Sequence, residues 1–356
     1  MKVLHIVGAR PNFMKAAPVL RALKGRSGVE QILIHTGQHY DAAMSDVFFT
    51  QLGMPEPDLN LAVGSGTHAW QTAQIMTRLE PVVLEHKPDW VLVYGDVNST
   101  AAAALVCSKL LVPVAHIEAG LRSGDRTMPE EINRLVTDQL SDLLFTPSPD
   151  ADENLKREGI APSKIRLVGN VMIDTLVRLL PLAEEQAFNG LPERYALVTL
   201  HRPSNVDDLA WLQALLKTLT EVSKDLPVVF PVHPRTRERM EEVGHLNCSP
   251  GLRLLEPKPY LEFLALQRRA SVVITDSGGI QEETTFLGVP CITVRENTER
   301  PITVELGTNR LVGRDLSALR TQVGVAVSMP ATRPKPIPLW DGHAAERIAS
   351  YLAPGC

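Results

Sequence analysis

Asp96 closes the stretch "WVLVYGD" and Glu118 follows "PVAHI", so two carboxylates stand directly after apolar runs. A carboxylate in such a place is costly unless it has partners or a task, and the task open to it is proton transfer. Asp96 also suits the cap of a helix starting near Asn98, a purely structural role. His201 follows "YALVTL" and His233 follows "PVVFPV", which puts two imidazoles in the same kind of position. No carboxylate or cysteine lies at ligand spacing nearby, so they read as groups that bond a phosphate or move a proton, not as a metal pair. "TMPEEINR" is ambiguous. Thr127 and Glu130 have capping-box spacing, Pro129 suits a helix start, and Glu130 precedes Arg134 by one helical turn, so structure alone explains each residue.

Other residues point to an anion. Ser277 is a natural N-cap after "SVVITD", and Gly278-Gly279 would let a diphosphate approach the free N–H groups of the helix that follows. Glu282 and Glu283 lie too far along for a capping box with Ser277. A carboxylate one turn beyond bound phosphates can accept both hydroxyls of a ribose, which would explain the order Ser-Gly-Gly then Glu. Pro11 fits the first turn of a helix and so places Arg10 and Lys15 near its N-terminal end. Two cations there oppose the helix dipole at about 0.3–1 kcal/mol each, which they would offset by facing an anion. The dinucleotide fingerprint GxGxxG is missing after this first strand, since Gly8 is followed by Ala, Arg and Pro, and that weakens any case for NAD.

These residues need a scaffold of strand ends. Short Val/Ile/Leu-rich runs alternate with helical-period segments such as 68–86 and 129–142, and the pattern restarts at "YALVTLHRP". Continuous apolar strands joined by helices mean a parallel sheet covered on both faces. The stretch 180–194 reads as a linker, and "SMPATRPKPIPLW" as a crossover before a last helix. The expectation is α/β: two Rossmann-like doubly wound domains facing across a cleft, 1–179 and 180–340, with helix 341–353 returning to the first. Ligands in such sheets bind beyond the carboxyl ends of the strands.

Bulk properties agree. With 356 residues, 44 % of them hydrophobic, the chain can bury two cores. A net charge of −5 argues against nucleic acid or a membrane surface as partner. Cys107, Cys248, Cys291 and Cys356 form no CxxC pair and read as reduced thiols in a cytoplasmic protein. "MKVLHIVGARP" reads as a first strand, not a signal peptide.

Taken in order, "GARPNFMK", "LVYGDVNST", "PVAHIEAGLRS", "MPEEINR", "TLHRPSN", "PVHP", "TDSGGIQEE", "TERPITVELGTNRLVG" and "DGHAAERI" resemble the non-hydrolysing UDP-N-acetylglucosamine 2-epimerases over nearly the whole chain. The resemblance implies a GT-B fold, a homodimer, no cofactor, and interconversion of UDP-GlcNAc and UDP-ManNAc in support of cell-surface polysaccharide assembly. It assigns Asp96, Glu118 and Glu130 as catalytic carboxylates, chooses Glu130 over Glu131, and makes His201 the active-site histidine. It assigns Arg10, Ser277, Gly278, Glu283 and Arg310 to UDP, with Glu283 on the ribose. Lys15 falls beside the active site, and Gly279 and His233 join the nucleotide set.

The implied chemistry suits the inventory. C2 of the sugar bears no adjacent carbonyl, so the enzyme must oxidise the sugar transiently or expel UDP first, and the missing NAD fingerprint favours expulsion to 2-acetamidoglucal. The chain departs from the family at His201-Arg202-Pro203-Ser204, where bacterial members often read His-Arg-Arg-Glu, and just after Gln38-His39. Those regions form an activator site for a second UDP-GlcNAc in some relatives, so activation is not expected. A hydrolysing relative releasing ManNAc and UDP, an epimerase of a 2,3-diacetamido sugar nucleotide, a GT-B glycosyltransferase and a non-catalytic UDP-sugar sensor are the competing readings.

Overall fold

The structure, a computed structural model, describes residues 1–38, 51–186, 188, 190–244, 250–328 and 335–354, and for Arg10 it describes the backbone alone. The chain forms two compact units, Met1–Arg178 with Pro338–Cys356, and Leu179–Ile337.

The first unit is built on strands β1 (Lys2–Val7), β2 (Glu30–His35), β3 (Leu59–Asn60), β4 (Trp90–Tyr94), β5 (Val114–Ile117), β6 (Leu143–Thr146) and β7 (Ile165–Leu167). They lie in the order β3-β2-β1-β4-β5-β6-β7, every pair parallel. The second unit holds β8 (Ala196–Thr199), β9 (Val228–Pro231), β10 (Leu252–Leu255), β11 (Val272–Thr275), β12 (Cys291–Thr293) and β13 (Asn309–Leu311). Their order is β10-β9-β8-β11-β12-β13, again all parallel. This is the two-domain α/β architecture of the GT-B fold.

Burial explains the apolar runs. β1 is buried from Val3 to Val7 and β4 from Val91 to Tyr94, because helices cover both faces of the sheet. Leu4, Ile6 and Val93 pack with Ile75, Leu79 and Val83 of helix His68–His86 and with Ala103 and Cys107 of helix Asn98–Lys109. In the second unit Val198, Phe230 and Ile274 pack with Leu216 and Leu219 of helix Leu209–Val222, while Leu197, Val229 and Val273 meet Leu266 on the other face.

Both sheets reverse their winding at one place. Chain order runs outward from β1 through β2 to β3, then jumps back to β4 on the other side; β8 and β11 flank the same kind of reversal. The connections there leave in opposite directions and open a crevice at the strand ends. The residues after β1, β4, β8 and β11 are Gly8–Arg10, Gly95-Asp96, Leu200-His201 and Asp276-Ser277.

One connection differs from the sequence expectation. The stretch 180–194 begins as helix, because Val171–Glu184 runs through Pro181 with Leu179 and Ala183 continuing its buried face. The last helix, Ala344–Leu352, packs on helix Arg10–Lys24 and has no side-chain cap of its own. Its first N–H groups are met instead by Asp174, whose carboxylate accepts from Ala344 and Ala345 at 3.1 and 2.7 Å. Cys107 and Cys291 are buried free thiols, whereas Cys248 and Cys356 lie outside the described residues. Among the described residues no helix is long and apolar enough to cross a membrane.

Candidate active site

Glu118 leaves the end of β5 with φ +70°, a left-handed conformation that a residue with a Cβ adopts at a cost of about 1–3 kcal/mol. Its N–H and that of Ala119 both donate to the Phe145 carbonyl of β6, so the ladder ends in a shared acceptor and the chain bends away. The carboxylate, only 5 % exposed as a residue, forms an ion pair with the Lys15 ammonium, which is equally buried. Lys15 reaches it from helix Arg10–Lys24, whose entry is braced by Asn12: its Oδ1 accepts from Gly8 and Ala9 while its Nδ2 donates to the Tyr94 carbonyl. Gly95, at φ +61°, closes this pocket. A Cβ there would stand 2.5 Å from Lys15 Nζ and 3.1 Å from Glu118 Oε2.

Asp96, the next residue, does not cap its helix. Val97 occupies the N-cap position without a side-chain bond, and Asp96 Oδ2 instead accepts from Arg134 Nη1 at 2.5 Å. Arg134 turns its other edge to Glu131, 2.7 Å away. The pairing of Glu130 with Arg134 expected from their spacing is therefore replaced by one with Glu131, three residues away, and with a carboxylate from a neighbouring strand end. The capping box is absent too, since Met128 is the N-cap and makes no side-chain bond. Glu131 is buried and also accepts from the Ser123 and Gly124 N–H groups. Burial works against its charge, yet those bonds and Arg134 hold the carboxyl below its usual range. Glu130 is exposed and has no partner among the described residues. Of the two adjacent glutamates, 131 is committed to structure and 130 is available.

Beneath both carboxylates runs a brace that the sequence did not announce. The His116 ring, on β5, meets the Gly95 carbonyl at Nε2 (2.8 Å) and Asp138 Oδ1 at Nδ1 (2.6 Å). Asp138 Oδ2 accepts from Gly120 N–H and pairs with Arg122 at 2.7 Å. The backbones beside Asp96 and Glu118 are thus tied to one buried ion network.

In the second unit, His201 follows β8 and Asp276 follows β11. Asp276 is fully buried, and its Oδ2 accepts from the N–H groups of His201 (3.0 Å) and Arg202 (2.9 Å) and from Asn205 Nδ2 (3.1 Å). Its Oδ1 lies 3.1 Å from His201 Nδ1. The His233 ring stands 6.3 Å from that of His201, and its Nδ1 accepts from Arg235 N–H as the cap of helix Pro234–Glu242. Among the described residues, no three His, Cys, Asp or Glu side chains are arranged to hold a metal.

Ser277 is the N-cap of helix Gly278–Leu287, and its hydroxyl makes no cap bond, so the first N–H groups of the helix keep no side-chain partner. Gly278 is required by close approach: a Cβ there would collide with the Arg300 guanidinium and the Glu299 carboxylate. The adjacent glutamates divide as 130 and 131 do. Glu282 pairs with Arg300 Nε at 2.9 Å, inside a cluster in which Arg202, Arg295 and Arg300 face Glu282 and Glu299. Arg202, Arg295 and Arg300 are offset by Glu282, Glu299 and the neighbouring Asp276, so the helix start itself is the feature favourable to an anion. Among the described residues Glu283 meets no cation. Its Oε1 accepts from Tyr260 Oη at 2.9 Å, its Oε2 has no partner, and burial pushes its carboxyl up to about 7. Helix Gly278–Leu287 also packs on β13, which carries Arg310, an exposed residue whose Nη1 donates to the carbonyls of Asn309 and Val304.

The structure thus gathers Lys15, Asp96 and Glu118 at adjacent strand ends of one sheet, and His201 with Ser277–Gly279 at those of the other. The first set can exchange protons, and the second can hold a diphosphate and a ribose. The side chain of Arg10 and the residues following Gln38 lie outside the described residues; Gln38 itself accepts from Ser99. His116, Asp138, Asp276 and Tyr260 escaped the sequence reading, which took Arg134 only as a partner of Glu130. Only Asp276 carried a signal, since it ends an apolar run just as Glu118 does.

Comparison with known proteins bears on these two sets. The family profile described as UDP-N-acetylglucosamine 2-epimerase matches residues 21–353. The chain is similar to UDP-N-acetylglucosamine 2-epimerase of Methanocaldococcus jannaschii, at 43 % identity over 100 % of both chains. It is also similar to UDP-2,3-diacetamido-2,3-dideoxy-D-glucuronate 2-epimerase of Pseudomonas aeruginosa, at 44 % over 99 % of each. The crystal structure of the M. jannaschii enzyme in complex with UDP-GlcNAc and UDP superposes with a TM-score of 0.92, covering 100 % of both chains at 44 % identity.

Two stability measurements test the electrostatics. Lys15→Met removes the ammonium beside the buried Glu118 carboxylate and should destabilise the protein by about 3 kcal/mol, and adding Glu118→Gln should recover most of that loss. Additive losses in denaturant unfolding would contradict the pairing. The Glu283 carboxyl titrates above its ordinary value, so its contribution to stability is complete below about pH 4.5 and is lost as pH rises through about 7. Without nucleotide, wild type should therefore lose about 3 kcal/mol relative to Glu283→Gln between pH 4.5 and 9. Parallel stability curves would contradict it.

Proposed function

Because the chain belongs to the UDP-N-acetylglucosamine 2-epimerase family, we propose that it interconverts UDP-GlcNAc and UDP-ManNAc without hydrolysis, by eliminating UDP and adding it back. A unit-1 carboxylate takes the C2 proton, the electron pair of the C2–H bond forms the C1=C2 bond of 2-acetamidoglucal, and the C1–O pair leaves with UDP, which departs with the negative charge. A second carboxylate then returns a proton to the opposite face of C2 while a UDP oxygen re-forms the bond to C1. Atoms balance without an outside oxidant.

The observation that carries this reading is the strained, buried Glu118 held against Lys15 beside Gly95-Asp96. Strain and a buried charge on one residue have a cost, and function is the usual reason they persist. Asp96 is backed by Arg134, and Glu130 stands in solvent, so three carboxylates of different surroundings are offered to the sugar. The residues for the nucleotide lie in unit 2. Ser277 and the helix N–H groups receive the diphosphate as charge grows on it. Glu283, with an oxygen still unpartnered, receives the ribose hydroxyls. Lys15 serves the acid–base set rather than the nucleotide, as its pairing with Glu118 indicates.

The P. aeruginosa relative supports a second substrate, a 2,3-diacetamido glucuronate nucleotide, through the same C2 chemistry. Incubation of the purified protein in D2O with either nucleotide and no added cofactor separates the readings by NMR. UDP-ManNAc with deuterium at C2 of both epimers is the expected outcome, and Glu118→Gln should slow it by about 10²–10⁴-fold. Free ManNAc with UDP would identify a hydrolase, turnover of the diacetamido substrate alone would move the specificity, and no exchange with either would overturn the epimerase.

A further inference from the structure

We infer that Asp276 is a positioning residue for His201: it fixes the imidazole in the Nδ1–H form and so leaves Nε2 to serve the departing diphosphate. The inference rests on the epimerase reading for what His201 does, but the geometry stands by itself. Asp276 Oδ2 is saturated by the N–H groups of His201 and Arg202 and by the Asn205 amide. The remaining oxygen, Oδ1, faces His201 Nδ1 at 3.1 Å.

A carboxylate can only accept. Burial disfavours its charge, but the His201 ring, the Arg202 N–H and the Asn205 amide hold the Asp276 carboxyl below its usual range, so it stays ionised at neutral pH. The ring nitrogen in front of it must then carry the hydrogen. Nε2 is the free nitrogen, on a side chain that is 45 % exposed. With Nδ1–H held by the carboxylate, Nε2 is the ring atom left to exchange a hydrogen with the anion. Asp276 is also the residue before Ser277, so the bonds that orient the histidine tie it to the start of the anion-binding helix.

Asp276→Asn tests this almost isosterically. The amide oxygen can take the three donors that Oδ2 takes now, which turns the NH₂ toward His201 Nδ1. An NH₂ donates, so the neutral ring must switch to the Nε2–H form. With ¹⁵N-labelled histidine, and His201→Asn to assign the signal, ring nitrogen shifts report the tautomer without any turnover. The expected results are Nδ1–H in wild type and Nε2–H in Asp276→Asn. In the variant, kcat for UDP-GlcNAc falls about 10²-fold while KM stays within about threefold, the pattern of a lost transition-state interaction. An Nε2–H ring in wild type overturns the inference even if the variant fails to fold. So does a variant that keeps the wild-type tautomer and kcat. A wild type that shows Nδ1–H but turns over no UDP-sugar supports the positioning and removes only the epimerase reading.

Discussion

A carboxylate buried away from water keeps its charge only if a cation or several hydrogen-bond donors come with it, and the first unit is arranged around the cation at Glu118. Lys15 meets it from a different helix, 103 residues away in sequence, so β1, its helix and β5 must hold a fixed relation for the pair to exist. The glycine at 95 is what lets the ammonium approach, and the left-handed turn at Glu118 is what ends β5 against it. The His116–Asp138 brace ties the two backbones together from below. Each feature is costly or awkward alone, and together they over-determine one geometry.

The second unit presents a helix start whose N-cap makes no side-chain bond, an arginine–glutamate cluster beneath it, and a histidine whose orientation is set by a buried aspartate. None of these groups needs to reorganise as charge develops, and that is the condition under which fixed dipoles lower a barrier.

Much of this was legible in the sequence because it follows from local rules. Apolar runs separated by helical periods gave a parallel α/β fold, and a carboxylate ending such a run, as at Glu118, marked a cost that asked for a reason. Local rules failed where a tertiary neighbour overrode them. Arg134 sits at good spacing for Glu130 but binds Asp96 and Glu131, because Asp96 is delivered by an adjacent strand end that no helical spacing reveals. Glu282 and Glu283 look alike in sequence, as do Glu130 and Glu131. Burial and the N–H of Ser123 separate Glu131 from Glu130, whereas Glu282 and Glu283 are equally buried and only the position of Arg300 separates them. Pro181 looked like a break, yet the buried face of its helix carries through it.

The central claim is that the C1–O bond to UDP breaks while the nucleotide stays bound, and an oxygen label reads that bond directly. UDP-GlcNAc carrying ¹⁸O at the bridge between C1 and the β-phosphorus should be incubated with the enzyme and followed by ³¹P NMR. The account predicts that the label moves from the bridge into the non-bridging β-phosphate positions of recovered UDP-GlcNAc, as freed UDP rotates before adding back. Epimerisation with all of the label retained at the bridge would contradict it, because C2 would then have inverted with the bond to UDP intact.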